Sequence, residues 1–331
     1  MPGIQDFTYA NYGKETTRGT PVAPTRKFYA VGTGVLDHDL GIRFHEGENR
    51  GLRTKVVRAT SVQEDVGLKL ASVDGIGYDD LVLILASLKG GLSGVGGAAD
   101  KTWTCVPSNT GANSQEAWSW DVGDDVQNWR VQYAMARSWT LSAALDDVTN
   151  LELDYFGQRA VKGAKATPAD NSAVKIPGDL WTVKFATTLA GLPGASVVAN
   201  FLVGWKLEAQ TGLVWRHYMD GNLYGGQHAE TTIAADLTLT VESTAQAVSQ
   251  FYDKYVAGTL DFIRLKATGP ALGGSNYSAQ VDLPVLYDKP KIIAGEDEGV
   301  NLWEIPAKLA YDATSAQSIG LVVVNSLAAL P

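Results

Sequence analysis

Apolar and polar residues alternate along much of the chain, the period of two that gives a β-strand one buried and one solvated face. Within residues 66–71, Val66, Leu68 and Leu70 stand against Gly67, Lys69 and Ala71. Residues 233–242 repeat the pattern more cleanly: Leu237, Leu239 and Val241 claim a core, leaving Asp236, Thr238, Thr240 and Glu242 to the opposite face. Further apolar runs, punctuated by Gly, Asn, Asp and Pro, predict strands near 117–121, 129–145, 151–156, 180–187, 197–207, 213–219, 260–266, 277–287, 292–294, 302–311 and 319–324. Residues 27–53 read as a hairpin with a long polar loop, 45–53.

Two stretches change period. Leu81, Ile84, Leu85 and Leu88 follow helical spacing, and Val82 and Leu83 widen the stripe, so this helix is expected to be buried on more than one side. Asp79 and Asp80 suit its positive N-terminal end, and Lys89 with Gly90 closes it. The second stripe is Val248, Phe251, Tyr252, Tyr255 and Val256, with Ser243 or Thr244 as cap and Gly258 as stop.

Each helix follows an alternating strand, so residues 66–90 and 235–258 share one layout. Residues 135–158 can also be laid on 201–223, with Trp139 on Trp205 and Leu141 on Leu207. These recurrences predict a duplication. The expected organisation is an extended N-terminal arm (1–27), a first β domain (28–160), a linker (161–178) and a second, related β domain (179–331). The fold class is mainly β (α+β): two β-sandwich or barrel domains, each with a flanking helix.

The chain's 331 residues favour two domains, and 45% apolar against 19% charged residues excludes disorder. A net charge of -9 leaves no broad basic footprint for gripping phosphates, although an acidic wall lets a polyanion slide instead of sticking. Cys105 is the single cysteine, which excludes an intrachain disulfide and a cysteine-based metal cluster. With no secretion-type start and no run of 18 apolar residues, neither export nor a membrane span is expected.

Candidate chemistry is sparse. His38, His45, His217 and His228 lack zinc-protease spacing. The glycine-rich stretch 90–97 has Val95 where a nucleophile elbow needs glycine, and it follows a helix, whereas a dinucleotide loop follows a strand. The paired acids (Asp79 with Asp80, Asp124 with Asp125, Asp146 with Asp147, and Glu296-Asp297-Glu298) read as solvated turns and helix ends, since neighbours on a strand diverge. Nine tryptophans could stack on sugars, but their place in alternating strands favours core or subunit contacts. No catalytic, cofactor or metal residue is expected, and the chain is not read as an enzyme.

The segment GKETTRGTPVAPT (13–25), the EGENRG loop after it, and the strand-helix unit resemble the opening of tailed-phage (siphovirus) major tail tube proteins. The segments ESTAQAVSQFYDKYVAGTLDFIRLKATG (242–269) and PKIIAGEDEGVNLWEIPAKLAYDATSAQSIGLVVVNSL (290–327) look like the C-terminal region of that family's longer, duplicated type. The resemblance implies rings stacked into a hollow tube through which DNA passes. With two domains per chain, three chains would make a pseudo-sixfold ring; a hexamer is the alternative. The implied partners are the chain itself, the tape-measure protein and genomic DNA in the lumen without sequence-specific binding, and tail-tip and terminator proteins at the tube ends. The implied location is the virion, after assembly in the host cytoplasm. Asp236, Thr238, Thr240 and Glu242 are then candidates for the lumen. His45, Glu46, Glu48, Asn49, Arg50 and Arg53, with the arm, are candidates for ring stacking. A carbohydrate-binding virion adhesin module is the alternative function.

Overall fold

A computed structural model describes residues 8–28, 35–46, 56–72, 74–169 and 174–331. The first half supplies β1 (Tyr9–Lys14), β2 (Arg26–Lys27), β3 (Val35–Asp39), β4 (Ile42–Glu46), β5 (Val56–Ser61) and β6 (Asp65–Ala71). Helix α1 (Val82–Leu88) follows, then β7 (Lys101–Cys105), β8 (Trp118–Gly123), β9 (Asn128–Ala144), β10 (Asn150–Gly157) and β11 (Arg159–Gly163). The second half supplies β12 (Trp181–Ala186), β13 (Leu202–Gln210), β14 (Leu213–Arg216), β15 (Gln227–Glu230) and β16 (Ala234–Glu242). A second helix, α2, joins Ala245–Ala247, a π-type turn Val248–Tyr252, and Asp253–Ala257. The chain ends with β17 (Asp261–Leu272), β18 (Ser275–Tyr287), β19 (Lys291–Asp297), β20 (Val300–Leu309) and β21 (Gly320–Asn325). The fold is mainly β, as the alternation predicts.

One antiparallel sheet runs through both halves in the order β3, β6, β10, β9, β13, β16, β20, β19. Its inner face packs on two flanking sheets: β2, β1, β8, β9, β11 under the first half, and β12, β17, β18, β21, β7 under the second. The halves are not separable at a linker. β9 pairs with β13 over seven residues, β7 of the first half pairs with β21, and Trp103, Trp139, Trp205 and Trp303 belong to one continuous core. Residues 161–178 begin as the end of β11 and bury Ile176 completely.

The arm differs most from expectation. Residues 9–14 form β1, pairing with β8 over six residues and burying Tyr12 against Trp118 and Trp120. Gly13, Gly19, Pro21 and Pro24 mask the strand character of the arm, because its burial comes from β8 and from Asp80, far away in sequence. Asp79 and Asp80 are also buried, so they are not solvated helix-end acids: Arg26 Nη2 donates to Asp79 at 3.0 Å, and Tyr12 Oη donates to Asp80 at 2.8 Å. All seven residues of α1 are buried.

β9 serves two sheets because it bends at Tyr133, whose φ of 51° is left-handed, a region a bulky residue rarely enters. The buried Glu15 carboxylate holds the bend. It accepts from the Tyr133 backbone N–H at 2.7 Å, from Ser119 Oγ at 2.9 Å and from Gly19 N at 2.7 Å. Burial pushes Glu15 above its ordinary value of 4.5 despite these bonds. The stability contributed by its uncharged form is therefore fully present below the unfolded value and is lost as pH rises through the higher folded value. As pH rises from the unfolded value through the higher folded one, a Glu15→Gln chain should lose less stability than wild type. Urea unfolding across a pH series checks this; equal pH slopes would refute it.

Candidate assembly surface

The outer face of the through-sheet carries the four residues proposed for a lumen. Ala235, Leu237, Leu239 and Val241 are buried, while Asp236 is exposed and Thr238, Thr240 and Glu242 are half-buried on the opposite side. The register extends this face into rows. One row runs Glu152, Thr140, Glu208, Asp236, Lys308, and the next runs Ser142, Lys206, Thr238, Pro306. Glu208 sits directly opposite Asp236, an arrangement of like charges that costs a sheet stability. Lys308 Nζ lies 3.6 Å from Asp236 and Lys206 pairs with Glu208 along its own strand, so the repulsion is only partly offset. Asp37, Asp39, Asp65, Glu152, Asp154, Glu208, Asp236, Glu242 and Glu304 outnumber Lys69, Arg137, Lys206, Lys291 and Lys308 on the face, which is acidic.

The same sheet contains a tandem repeat. Read across it, β3, β6, β10, β9 are followed by β13, β16, β20, β19. Corresponding strands run in the same direction and occur in the same chain order: β3, β6, α1, β9, β10 in the first repeat, and β13, β16, α2, β19, β20 in the second. The match of 66–90 with 235–258 therefore holds in space. The other proposed match does not: residues 135–158 form the β9–β10 hairpin, which corresponds to β19–β20, whereas residues 201–223 place β13 beside β16 and pair β14 with β15. β9 resembles β13 in sequence because both are amphipathic strands of one sheet.

Between its first two strands each repeat carries a two-stranded ribbon, β4–β5 in the first and β14–β15 in the second. His45 and Glu46 belong to strand β4, not to a loop; His45 Nε2 and Thr60 Oγ1 are 2.9 Å apart across the ribbon. Glu48, Asn49, Arg50 and Arg53 lie outside the described residues. The base of the first ribbon is braced where Glu64, nearly buried, meets His38 at 3.1 Å and Arg159 at 3.6 Å, and where its N–H donates to Leu223 O in the segment joining β14 to β15. Sequence reasoning missed β14–β15 as the counterpart of β4–β5. The only shared signal is position between the first two strands of a unit.

Elsewhere the buried acids are committed to the fold. Asp121 takes Arg130 at 2.6 and 2.8 Å, Asp261 takes Tyr287, Lys254 and Gln250, and Asp282 takes Arg264 at 2.7 and 2.8 Å. Among the described residues no group of three His, Cys, Asp or Glu side chains could hold a metal ion. A cleft of about 560 Å³ is lined by Tyr9, Leu36, His38, Leu70, Asp124 and Trp129; Asp124 Oδ1 accepts from the Val126 and Gln127 N–H groups, and His38 is paired with Glu64. Burial pushes the Cys105 thiol up to about 12, away from nucleophilic use. Seven of the nine tryptophans are buried and Trp129 and Trp215 are partly buried, so none forms an open platform for a sugar. No helix of the described residues is long and apolar enough to cross a membrane. Compared with protein-family models and with curated proteins, the chain matches none.

Proposed function

We propose that the chain is a structural subunit that assembles into rings, and the rings into the hollow tail tube of a tailed phage, with DNA passing through the lumen. The observation that carries this reading is the junction between the two repeats. β9, last in the first unit, pairs antiparallel with β13, first in the second. β19 occupies the place of β9, and β3 the place of β13; neither has a further neighbour among the described residues on its outer side. Repeating the internal junction between chains joins β19 of one copy to β3 of the next, which turns two open edges into an assembly contact.

Three chains then bring together six units and 24 strands. At a spacing of about 4.8 Å such a sheet closes into a cylinder about 37 Å across for untilted strands and about 48 Å across at a 40° tilt. The acidic outer face described above becomes the lining, where Asp236, Thr238, Thr240 and Glu242 lie, and its charge keeps a polyanion from sticking. In this reading the chain acts on no substrate and needs no cofactor. The tape-measure protein occupies the lumen before DNA does, terminator and tail-tip proteins close the tube ends, and the assembled chain resides in the virion.

Electron microscopy of the purified protein at high concentration tests the reading. Hollow rings or tubes whose end-on averages show threefold symmetry are expected. Uniform monomers under every condition, or sixfold rings with one chain per unit, would refute respectively the function and the role of the repeat.

A further inference from the structure

The through-sheet has two ends of opposite character. The first ribbon leaves it beyond Asp39 and Asp65, at the end where Lys308 and Asp236 pair. The register steps from Val66 through Gly157, and along β10, β9 and β13, to that same end of β16. The β19–β20 hairpin leaves in the other direction, beyond the pair Glu242 and Leu302.

The ribbon is two-faced. Ile42 and Phe44, 50% and 60% exposed, share one face with Ala59 and Ser61, and Arg43 and His45 share the other with Thr60 and Arg58. Both arginines are exposed. The hairpin at the opposite end turns at Glu298 and Gly299, whose φ values of 47° and 87° give the tight turn that suits antiparallel strands. It presents Glu296, Asp297 and Glu298 beside Ile292, Ile293 and Val300, all exposed. Ile293 is held at a φ of 57°, a strained conformation for a β-branched residue. The other repeat echoes the pattern with Leu145, Asp146 and Asp147 exposed in the β9–β10 turn.

We propose that the cationic face of ribbon β4–β5 of one copy seats on the acidic hairpin β19–β20 of a second copy, end to end along the strands. Arg43 and Arg58 face Glu296, Asp297 and Glu298, while Ile42 and Phe44 lie on the ribbon's opposite side. The contact joins different surfaces of two identical chains, so it propagates without closing and fixes a polarity. This inference rests on the tube reading, in which it supplies the axial contact between rings, whereas the β19 to β3 edge supplies the lateral one.

Charge reversal tests it in the full-length chain. Arg43→Glu with Arg58→Glu, and separately Glu296→Lys, Asp297→Lys and Glu298→Lys, should each raise the concentration needed for tube formation by at least about tenfold, the change that roughly 1.4 kcal/mol produces. The chain carrying all five changes should assemble near the wild-type concentration. Circular dichroism of each variant establishes that it is folded. Because the one native cysteine is buried, Arg43→Cys combined with Glu298→Cys should give a ladder of disulfide-linked chains on oxidation.

Single reversals that assemble like wild type, or a five-fold variant that fails to recover, would overturn the contact while leaving the tube intact. Solid linear chains that respond to the reversals and show the ladder would keep the contact and overturn the hollow tube. A wild-type chain that never associates would overturn both.

Discussion

Replacing Asp80 with alanine is expected to cost about 3–5 kcal/mol of folding stability, the loss that follows when one partner of a buried ionic cluster is removed. Asp80 is 1% exposed and accepts from Tyr12 Oη at 2.8 Å and Arg26 Nε at 3.4 Å. The alanine variant leaves the Tyr12 hydroxyl with no acceptor and Arg26 with only part of its neutralising charge in an almost dry site. The loss should exceed that of a simple ion pair on the surface, because three segments meet there. β1 brings Tyr12, β2 brings Arg26, and the C-terminal segment arrives through Ser326, whose N–H and hydroxyl donate to the neighbouring Asp79. Burial raises the Asp80 carboxyl more than Arg26 lowers it, so Asp80→Asn, which keeps an acceptor oxygen and carries no charge, should cost less than half as much. Urea unfolding at neutral pH measures both. An alanine variant within about 1 kcal/mol of wild type would show that the cluster contributes little.

The second large effect concerns assembly without folding. Successive residues of an antiparallel strand aim their N–H groups to opposite sides, so in β3 one of Asp37 and His38 donates toward β6 and the other points outward. Proline at the inward position removes a ladder bond and should cost about 1–3 kcal/mol. Proline at the outward position should destabilise the chain less than proline at the inward one and abolish rings, because the backbone donor that it removes serves the next chain. Light scattering and electron microscopy of the two variants, beside their melting curves, separate the cases. If the better-folded of the two still closes rings, β3 is not a lateral edge.

Much of this architecture is legible along the chain because its strands are amphipathic. The alternation at 235–242 places Leu237, Leu239 and Val241 inside without further information, and Thr244 accepts from Ala247 N as the cap of α2 while Gly258 ends it at a φ of 59°. The helical stripe of α2 misleads in part: Phe251 is buried, but Val248, Tyr252 and Val256 face outward, since the π-type turn shifts the face presented to the core. Features that depend on distant partners are hidden. Nothing near Tyr133 announces a left-handed residue, because Glu15 stabilises it from 118 positions away. Asp79 and Asp80 look solvated until Arg26 is brought to them. The acidic face was legible residue by residue, but the opposition of Glu208 to Asp236 is a matter of register. The tandem order was obscured for a related reason: strands of one sheet resemble each other whether or not they are equivalent.

The pairing of β7 with β21 has a consequence for synthesis. Trp103 Nε1 donates to Asn325 across 222 positions, and the Lys14 N–H donates to the carbonyl of Pro331. At about 5–20 residues per second, a ribosome needs roughly 10–45 s to travel from the first of those partners to the second. During that interval β7 has no strand beside it and the flank of the second half is unsealed, so a nascent chain exposes the hydrophobic side of its sheet. Emergence of β21, and not completion of the first repeat, is then the event that closes the core.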